Sequence, residues 1–266
     1  MSNDRLVAEV VFDRAIVGGS DRETLDAAAD VLFASAPAWA AGAVAWSPHA
    51  RERRAMGGSP AALPRLVEER TRWATGDRHT GSVELRGATS ELNVVVSVNS
   101  SPLAAVGGRL LMPNGISVTA LRKKVAGIPQ AEWMRALLHD LCEELDPAWG
   151  ALYSQSEYRA KVMADGPSLR AVGRDFARFL PGLFAVNYFG PRYVDLIGQE
   201  RIERLGAAVS RRAGNGWLVD VIADPSEWDS EPAIARSAAV MERIGPEFFF
   251  LKRERERPAR APDWGG

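Results

Sequence analysis

Short strands and amphipathic helices alternate along this chain, which limits it to folds that pack helices against a sheet. Leu6–Phe12 is predicted to be a strand, and Leu25–Phe33 has apolar residues at the three- and four-residue spacing of one helix face. Gln130–Leu145 repeats that spacing. The Asn-Gly pair at 114–115 is a strong hairpin signal between the predicted strands Leu110–Met112 and Ile116–Leu121. We therefore predict an α+β fold in which helices pack on a largely antiparallel sheet.

The remaining elements are predicted from apolar runs and their flanking turn residues. The valines between positions 94 and 98 form a nearly continuous β-branched run, which is typical of a strand buried on both faces. Residues 49–81 are predicted to be a loop with a short helix near 63–73, and 156–180 to be helical with a break near 166–167. Further predicted elements are the strands Gly42–Ser47, Leu183–Phe189, Gly216–Ile222 and Glu247–Leu251 and the helix Ala233–Ile244.

Two segments of the chain echo each other. The first amphipathic helix is followed by Pro37-Ala38-Trp39 and the second by Pro147-Ala148-Trp149, and each then continues into Gly-Ala and a short strand. An ancient duplication and chance in an alanine-rich chain both explain this. With a duplication, residues 1–251 form a single α+β domain of two related halves, about 1–125 and 126–251, which share a sheet with helices on one face. Residues 252–266 are predicted to be a loosely ordered charged tail.

Composition excludes several classes of function. The 266 residues carry a net charge of −1 and a pI near 6.4, so bulk charge gives no sign of nucleic acid or an anionic membrane. Cys142 is the single cysteine, so the chain has neither an intramolecular disulfide nor a thiolate zinc set. We expect no secretory leader, and no apolar window is long enough to span a bilayer. We predict a cytoplasmic protein that binds neither membranes nor nucleic acid directly.

Catalytic chemistry has no recognisable motif in this chain. His49, His79 and His139 lack the spacing of a metal site, and His139 and Asp140 are neighbours whose side chains should point to different helix faces. No phosphate-binding loop or nucleophile elbow is present. We therefore predict no catalytic residue, no metal and no cofactor. One alternative stays open, a small hydrolase whose carboxylates converge only in the fold.

An acidic run between Asp220 and Glu231 is the best candidate for binding. These twelve residues contain no lysine or arginine, and a tryptophan lies among the carboxylates. A negative patch with an aromatic side chain suits a basic protein surface, whereas a solvated loop before a helix is the plainer explanation. The predicted partner-binding residues are Asp224, Glu227, Trp228, Asp229 and Glu231.

A second segment carries a family resemblance. Asn187-Tyr188-Phe189-Gly190-Pro191, continued by Tyr193, Leu196, Ile197 and Gly198, resembles a block of the bacterial immunity protein 52 family and its type VI immunity relatives. Asp224-Pro225-Ser226-Glu227-Trp228 and the segment from Gly245 to Phe250 are also similar in style. The resemblance extends from about residue 130 onward. The block is interpreted as a strand-to-helix corner that determines the fold, with a turn at Gly190 and a helix start at Pro191.

The resemblance implies an immunity protein of a polymorphic or type VI toxin system. Such a protein binds its cognate secreted antibacterial toxin stoichiometrically and is not an enzyme. The implied toxin carries a restriction-endonuclease-like nuclease domain, and the acidic patch would then imitate nucleic acid. Besides the hydrolase, an adaptor of a secretion apparatus is a third possibility, which a large apolar surface patch would favour.

Overall fold

The computed structural model describes residues 5–14, 16, 22–47, 52–55, 59–72, 80–89, 91–99, 114–165, 171–176, 178–206, 208–253 and 260–262. Within them the strands are β1 (Leu6–Phe12), β2 (Val44–Ser47), β3 (Glu52–Ala55), β4 (Thr80–Arg86), β5 (Leu92–Asn99), β6 (Asn114–Ala120), β7 (Lys124–Val125), β8 (Ile128–Pro129), β9 (Trp149–Ser154), β10 (Val186–Phe189), β11 (Ser210–Ala213) and β12 (Gly216–Asp220). The helices are α1 (Arg22–Ser35), α2 (Pro37–Ala40), α3 (Ala62–Thr71), α4 (Gln130–Leu145), α5 (Gln155–Val162), α6 (Pro191–Ile197), α7 (Gln199–Glu203) and α8 (Glu231–Ile244).

Ten of these strands form one sheet in the order β11-β12-β10-β9-β1-β6-β5-β4-β2-β3, and every neighbouring pair is antiparallel. The central strand β1 pairs with β6 on one side and with β9 on the other. The prediction of an α+β fold with helices on a largely antiparallel sheet is confirmed. β7 and β8 form a separate two-stranded hairpin.

Helices cover both faces of the sheet, whereas the duplication hypothesis expected them on one. Along β1, Ala8 and Val10 join the core under α1, α3 and α4 on the first face, and Val7 and Val11 join the core on the second. That second core is closed by α6, α7, α8 and residues from 171–185, and it takes its sheet residues from β1, β9, β10 and β12. The alternation of side chains along a strand explains how β1 serves two cores.

The valine run is buried on one face only, so the prediction of burial on both faces is wrong. Val94 and Val96 are fully buried in the first core, but Val95 between them is only half-buried. The second core includes no residue from β4, β5 or β6. A solvent-facing valine is compatible with a strand because β-branched side chains suit the pleated backbone.

The hairpin predicted at Asn114-Gly115 is also wrong. Both residues lie inside β6, where they pair with Phe12 and Val11 of the central strand. A Cβ on Gly115 would lie 2.8 Å from the Val10 carbonyl oxygen, so glycine here permits close pairing of two strands. The predicted partner strand Leu110–Met112 lies outside the described residues.

Other differences concern short or polar elements. β3 and β11 were not predicted, and the strand predicted at Leu183–Phe189 begins only at Val186. The helix predicted over 156–180 ends at Val162 in α5. The segment predicted as a last strand forms a 3-10 turn, Pro246–Phe248, and a single bridge between Phe249 and Leu180.

The two Pro-Ala-Trp segments take different conformations. Pro37–Ala40 forms α2, and Trp39 packs in the first core with its indole Nε1 donating to the Leu92 carbonyl at 3.1 Å. Pro147 and Ala148 instead lead into β9, and Trp149 packs in the second core. β2 pairs with β3 and β4 near one edge of the sheet, whereas β9 pairs with β1 and β10. The duplication therefore stays a prediction.

Part of the predicted tail contacts the domain. Lys252 Nζ lies 2.6 Å from Asp165 Oδ1, and the backbone N–H of Arg260 donates to the Glu247 carbonyl at 2.9 Å. The Arg260 guanidinium also lies 5.4 Å from the centre of the Phe248 ring. Residues 254–259 and 263–266 lie outside the described residues.

Candidate functional site

The Asn-Tyr-Phe-Gly-Pro block forms a buried corner between β10 and α6. Asn187 is fully buried, and its side chain accepts from the Phe184 N–H and donates to the Phe184 carbonyl, each at 2.9 Å. A Cβ on Gly190 would lie 2.3 Å from the Pro147 carbonyl oxygen, which leaves room only for glycine. Pro191 then occupies the first turn of α6, where its missing N–H removes no helical hydrogen bond.

The aromatic residues of the block are also buried. Tyr188 donates to Asp146 Oδ1 at 3.0 Å, and Asp146 ends α4 in the left-handed conformation. Tyr193 donates to the Phe176 carbonyl at 3.5 Å, and Phe189 packs in the second core. Burial raises the pKa of both tyrosines. All of these contacts are internal packing contacts. They agree with the interpretation of the block as a strand-to-helix corner that determines the fold.

The predicted partner-binding residues lie in the turn between β12 and α8 and at the first residue of α8. Asp224 Oδ1 accepts from the Ser226 backbone N–H at 2.9 Å and from its hydroxyl at 2.7 Å, at the start of the 3-10 turn Pro225–Glu227. Ser230 caps α8 by accepting from the Ala233 N–H. Because both ends are capped, the turn presents its side chains from a defined backbone.

Four carboxylates of this turn are exposed, those of Asp224, Glu227, Asp229 and Glu231. We call these residues together with Trp228 the acidic turn. Trp228 is half-buried, packs against the second core, and donates from Nε1 to Ser156 Oγ at 2.8 Å. All five predicted residues lie within positions 224–231, and their role in binding stays a prediction.

Asp220, the first residue of the acidic run, has a separate structural partner. Arg135 on α4 contacts both of its carboxylate oxygens, at 3.1 and 3.3 Å, and also donates to the Ile222 carbonyl. Both side chains of this pair are about one-fifth exposed. The pair links α4 to the end of β12, so the role of Asp220 is structural.

A cavity of about 670 Å³ opens beside the acidic turn. It lies where the start of β1, the residues after β6, the start of α4 and the first turn of α5 meet the acidic turn. Its lining residues are Arg5, Leu6, Ala120, Leu121, Arg122, Lys123, Pro129, Gln130, Ala131, Ser156, Asp224, Ser226, Trp228 and Asp229.

The cavity lining has charges of both signs. Arg5, Arg122 and Lys123 are exposed cations, and Asp224 and Asp229 are exposed anions. Sequence reasoning missed the three cations because they lie more than 100 positions before the acidic turn. The pairing of Leu6 with Ala120 puts Arg5 and the residues after β6 at the same end of the sheet. The three cations can therefore be recognised as neighbours only once the pairing of β1 with β6 is known.

The hairpin of β7 and β8 stands at the rim of this cavity. Its turn residues Ala126 and Gly127 both have positive φ, 50° and 81°, as a type I′ turn requires. Ile128 follows and is 40% exposed, next to the lining residue Pro129. Gln130 ties the hairpin to the sheet because its Nε2 donates to the Ala120 carbonyl at 3.0 Å.

A buried charged network occupies a different place, the centre of the second face. Glu9 on β1 is 5% exposed and accepts from the Tyr153 hydroxyl at 2.9 Å, and its other oxygen accepts from the Arg174 guanidinium. Arg174 also reaches the Tyr158 hydroxyl at 3.4 Å. Burial raises the pKa of both tyrosines. The network contributes no residue to the cavity lining, and its charges are paired internally.

The histidine at the surface of α4 differs from its prediction. His139 Nδ1 lies 3.3 Å from Asp140 Oδ1, so the two side chains do meet, although both are partly exposed. His49 and His79 lie outside the described residues. Among the described residues, no three His, Cys, Asp or Glu side chains are grouped so that they could hold a metal ion. None of the described helices combines the length and apolar character needed to cross a membrane.

Comparisons with known proteins bear on the fold. No model of a protein family matches this chain, and no curated protein matches it. Among solved structures, the chain is similar to one described as the Pseudomonas aeruginosa T6SS protein PA0821, with 13% sequence identity and a TM-score of 0.56. The match covers 91% of this chain and 72% of that one, which shows a shared fold. Membership of the immunity protein 52 family stays a prediction from the residues between Asn187 and Gly198.

Proposed function

We propose that this chain is an immunity protein that binds and neutralises a cognate secreted antibacterial toxin through direct protein–protein contact. The observation that carries the proposal is the acidic turn, which presents four exposed carboxylates around a half-buried tryptophan. Exposed charges of one sign speed the encounter with an oppositely charged partner. An aromatic side chain among them supplies apolar contact area at the centre of an interface.

The hydrogen bonds that hold the acidic turn support this role. Asp224 and Ser230 cap its two ends, and the Trp228 indole is held by Ser156. A surface that is ordered before binding loses less conformational entropy when a complex forms. Tight stoichiometric inhibition depends on such preorganisation more than on buried area alone.

Two independent likenesses support a link to type VI secretion. The motif from Asn187 to Gly198 resembles type VI immunity relatives, and the fold is shared with a structure described as a T6SS protein. We further propose that the toxin has a restriction-endonuclease-like nuclease domain. Such a domain needs a basic groove for its substrate, and the acidic turn offers carboxylates where phosphates would otherwise lie.

Co-expression tests the proposal. The protein carries an affinity tag and is expressed with the product of the neighbouring gene, and growth and co-elution are measured together. We expect the neighbour alone to stop growth, the pair to grow, and the two proteins to elute as one complex of fixed stoichiometry. Growth arrest without rescue, or rescue without a complex, would contradict neutralisation by binding.

A further inference from the structure

The cavity beside the acidic turn has charges of both signs, and from this we propose that it receives a partner segment with an acidic and a basic side chain. This inference rests on the proposed function, because the partner is the toxin. It goes beyond that function by giving the toxin's contact segment a charge pattern. A purely basic segment of the toxin would be attracted to only two of the five charged side chains that line the cavity, those of Asp224 and Asp229.

The basic side of the cavity is fixed by the sheet. Leu6 pairs with Ala120, so Arg5 and the segment from Leu121 to Lys123 leave the sheet at the same end. The Gln155 N–H donates to the Arg5 carbonyl at 2.9 Å, which holds the first turn of α5 against the same strand end. An acidic side chain entering here therefore meets exposed cations from two chain segments.

The acidic side of the cavity comes from the acidic turn. Asp224 and Asp229 line it, whereas Glu227 and Glu231 are not part of the lining. Trp228 and Ser156 also line the cavity and are joined by their hydrogen bond. Because Trp228 Nε1 is engaged by Ser156, the indole offers the cavity chiefly its carbon surface, which suits the aliphatic part of a long side chain.

The form of the cavity favours a protein segment over a small molecule. Small-molecule pockets of about 300–1,000 Å³ are lined mostly by apolar and aromatic side chains and enclose their ligand. This cavity has a similar volume, but five of its fourteen lining residues are exposed charged ones. Its rim includes the β7–β8 hairpin with the exposed Ile128, which extends the contact area beyond the cavity itself.

Charge reversal distinguishes a mixed-charge segment from a purely basic one. In the complex with the toxin, the double variant R5E/K123E makes the basic side negative, and D229K adds a cation to the acidic side. A mixed-charge segment is repelled in both cases, so we expect each variant to weaken binding by about tenfold or more. A purely basic segment would bind R5E/K123E more tightly than the native chain.

The experiment measures the dissociation constant of the native complex and of each variant at two salt concentrations. R65E/R211E, which reverses two exposed cations outside the cavity, serves as the matched control and should bind like the native chain. The milder R5Q/K123Q should weaken binding less than R5E/K123E, and circular dichroism confirms that each variant is folded.

The outcomes separate this inference from the proposed function. A native complex that R5E/K123E leaves unchanged or strengthens would overturn the mixed-charge segment while the immunity function stands. Absence of any native complex would overturn both. Weakening by both R5E/K123E and D229K, with the control unchanged, would support the inference.

Discussion

Trp228 Nε1 donates a hydrogen bond of 2.8 Å to Ser156 Oγ, and this contact joins the acidic turn to the first turn of α5 across 72 positions of the sequence. It fixes the aromatic side chain at the cavity whose cations are Arg5, Arg122 and Lys123 and whose anions are Asp224 and Asp229. Trp228 therefore packs against the second core and is also part of the surface proposed to bind the toxin.

The first prediction concerns Trp228. The variant W228F keeps an aromatic ring but loses the hydrogen bond, so the free energy of unfolding should fall by about 1 kcal/mol. W228A should reduce toxin affinity by about 30-fold or more, because central aromatic side chains dominate binding energy. Denaturant unfolding and calorimetric titration measure the two effects. W217A, which removes another half-buried tryptophan that packs on the second core, should leave toxin affinity intact.

The second prediction concerns the acidic charge. The double variant E227K/D229K should weaken toxin binding by about tenfold or more, because like charges would then face a basic partner. Salt screens attraction between exposed charges, so the native affinity should fall with added sodium chloride, and the variant should show a smaller fall. E144K/D195K reverses two exposed carboxylates elsewhere and should bind normally. Equal affinities for the native chain and E227K/D229K would remove the acidic turn from the interface.

The third prediction concerns the corner between β10 and α6. N187A leaves the buried N–H and carbonyl of Phe184 without their side-chain partners, so the free energy of unfolding should fall by about 2–4 kcal/mol. The exposed Asn215 donates one hydrogen bond to Asp146, and N215A should cost less than about 1 kcal/mol. Urea unfolding compares the two variants. If N187A is as stable as N215A, the motif does not determine the fold as interpreted.

The fourth prediction concerns Glu157 and the pH dependence of the free energy of unfolding. This carboxyl is fully buried on α5, and burial raises its pKa although Lys161 Nζ lies 2.6 Å away. A raised folded-state pKa means that the folded protein holds the proton more tightly than the unfolded chain does. Ionisation above the ordinary value of 4.5 therefore costs stability.

Comparison with E157Q isolates that cost. Relative to E157Q, the native chain should lose free energy of unfolding as pH rises from about 4.5 towards neutrality. Urea unfolding across that pH range measures the difference, and E144Q serves as the control for losing one exposed carboxylate. A difference that grows in favour of the native chain with rising pH would show that Lys161 outweighs burial.

Sequence reasoning found the elements that local pattern determines. β1 and α4 have the predicted bounds because their apolar periodicity is strong and continuous. The hairpin predicted at Asn114-Gly115 does not form because pairing with the central strand β1 outweighs the local turn preference of these two residues. β11, with the sequence Ser-Arg-Arg-Ala, was missed because a short polar edge strand lacks an apolar pattern.

The candidate site was predicted in part. The acidic turn is contiguous in sequence, so its charges and its tryptophan could be read directly. The cations at Arg5, Arg122 and Lys123 reach the same cavity only through the pairing of β1 with β6, which no local pattern reveals. The hydrogen bond between Trp228 and Ser156 is likewise a product of the tertiary fold.

The most direct test of the central claim is the mass of the complex that forms when the tagged protein is purified together with the product of its neighbouring gene. Size-exclusion chromatography with light scattering measures it, alongside growth of the co-expressing cells. The proposal predicts a stable complex of defined stoichiometry and normal growth, both reduced by W228A. Two separate peaks together with unrelieved toxicity would contradict the proposal that this chain neutralises a toxin by binding it.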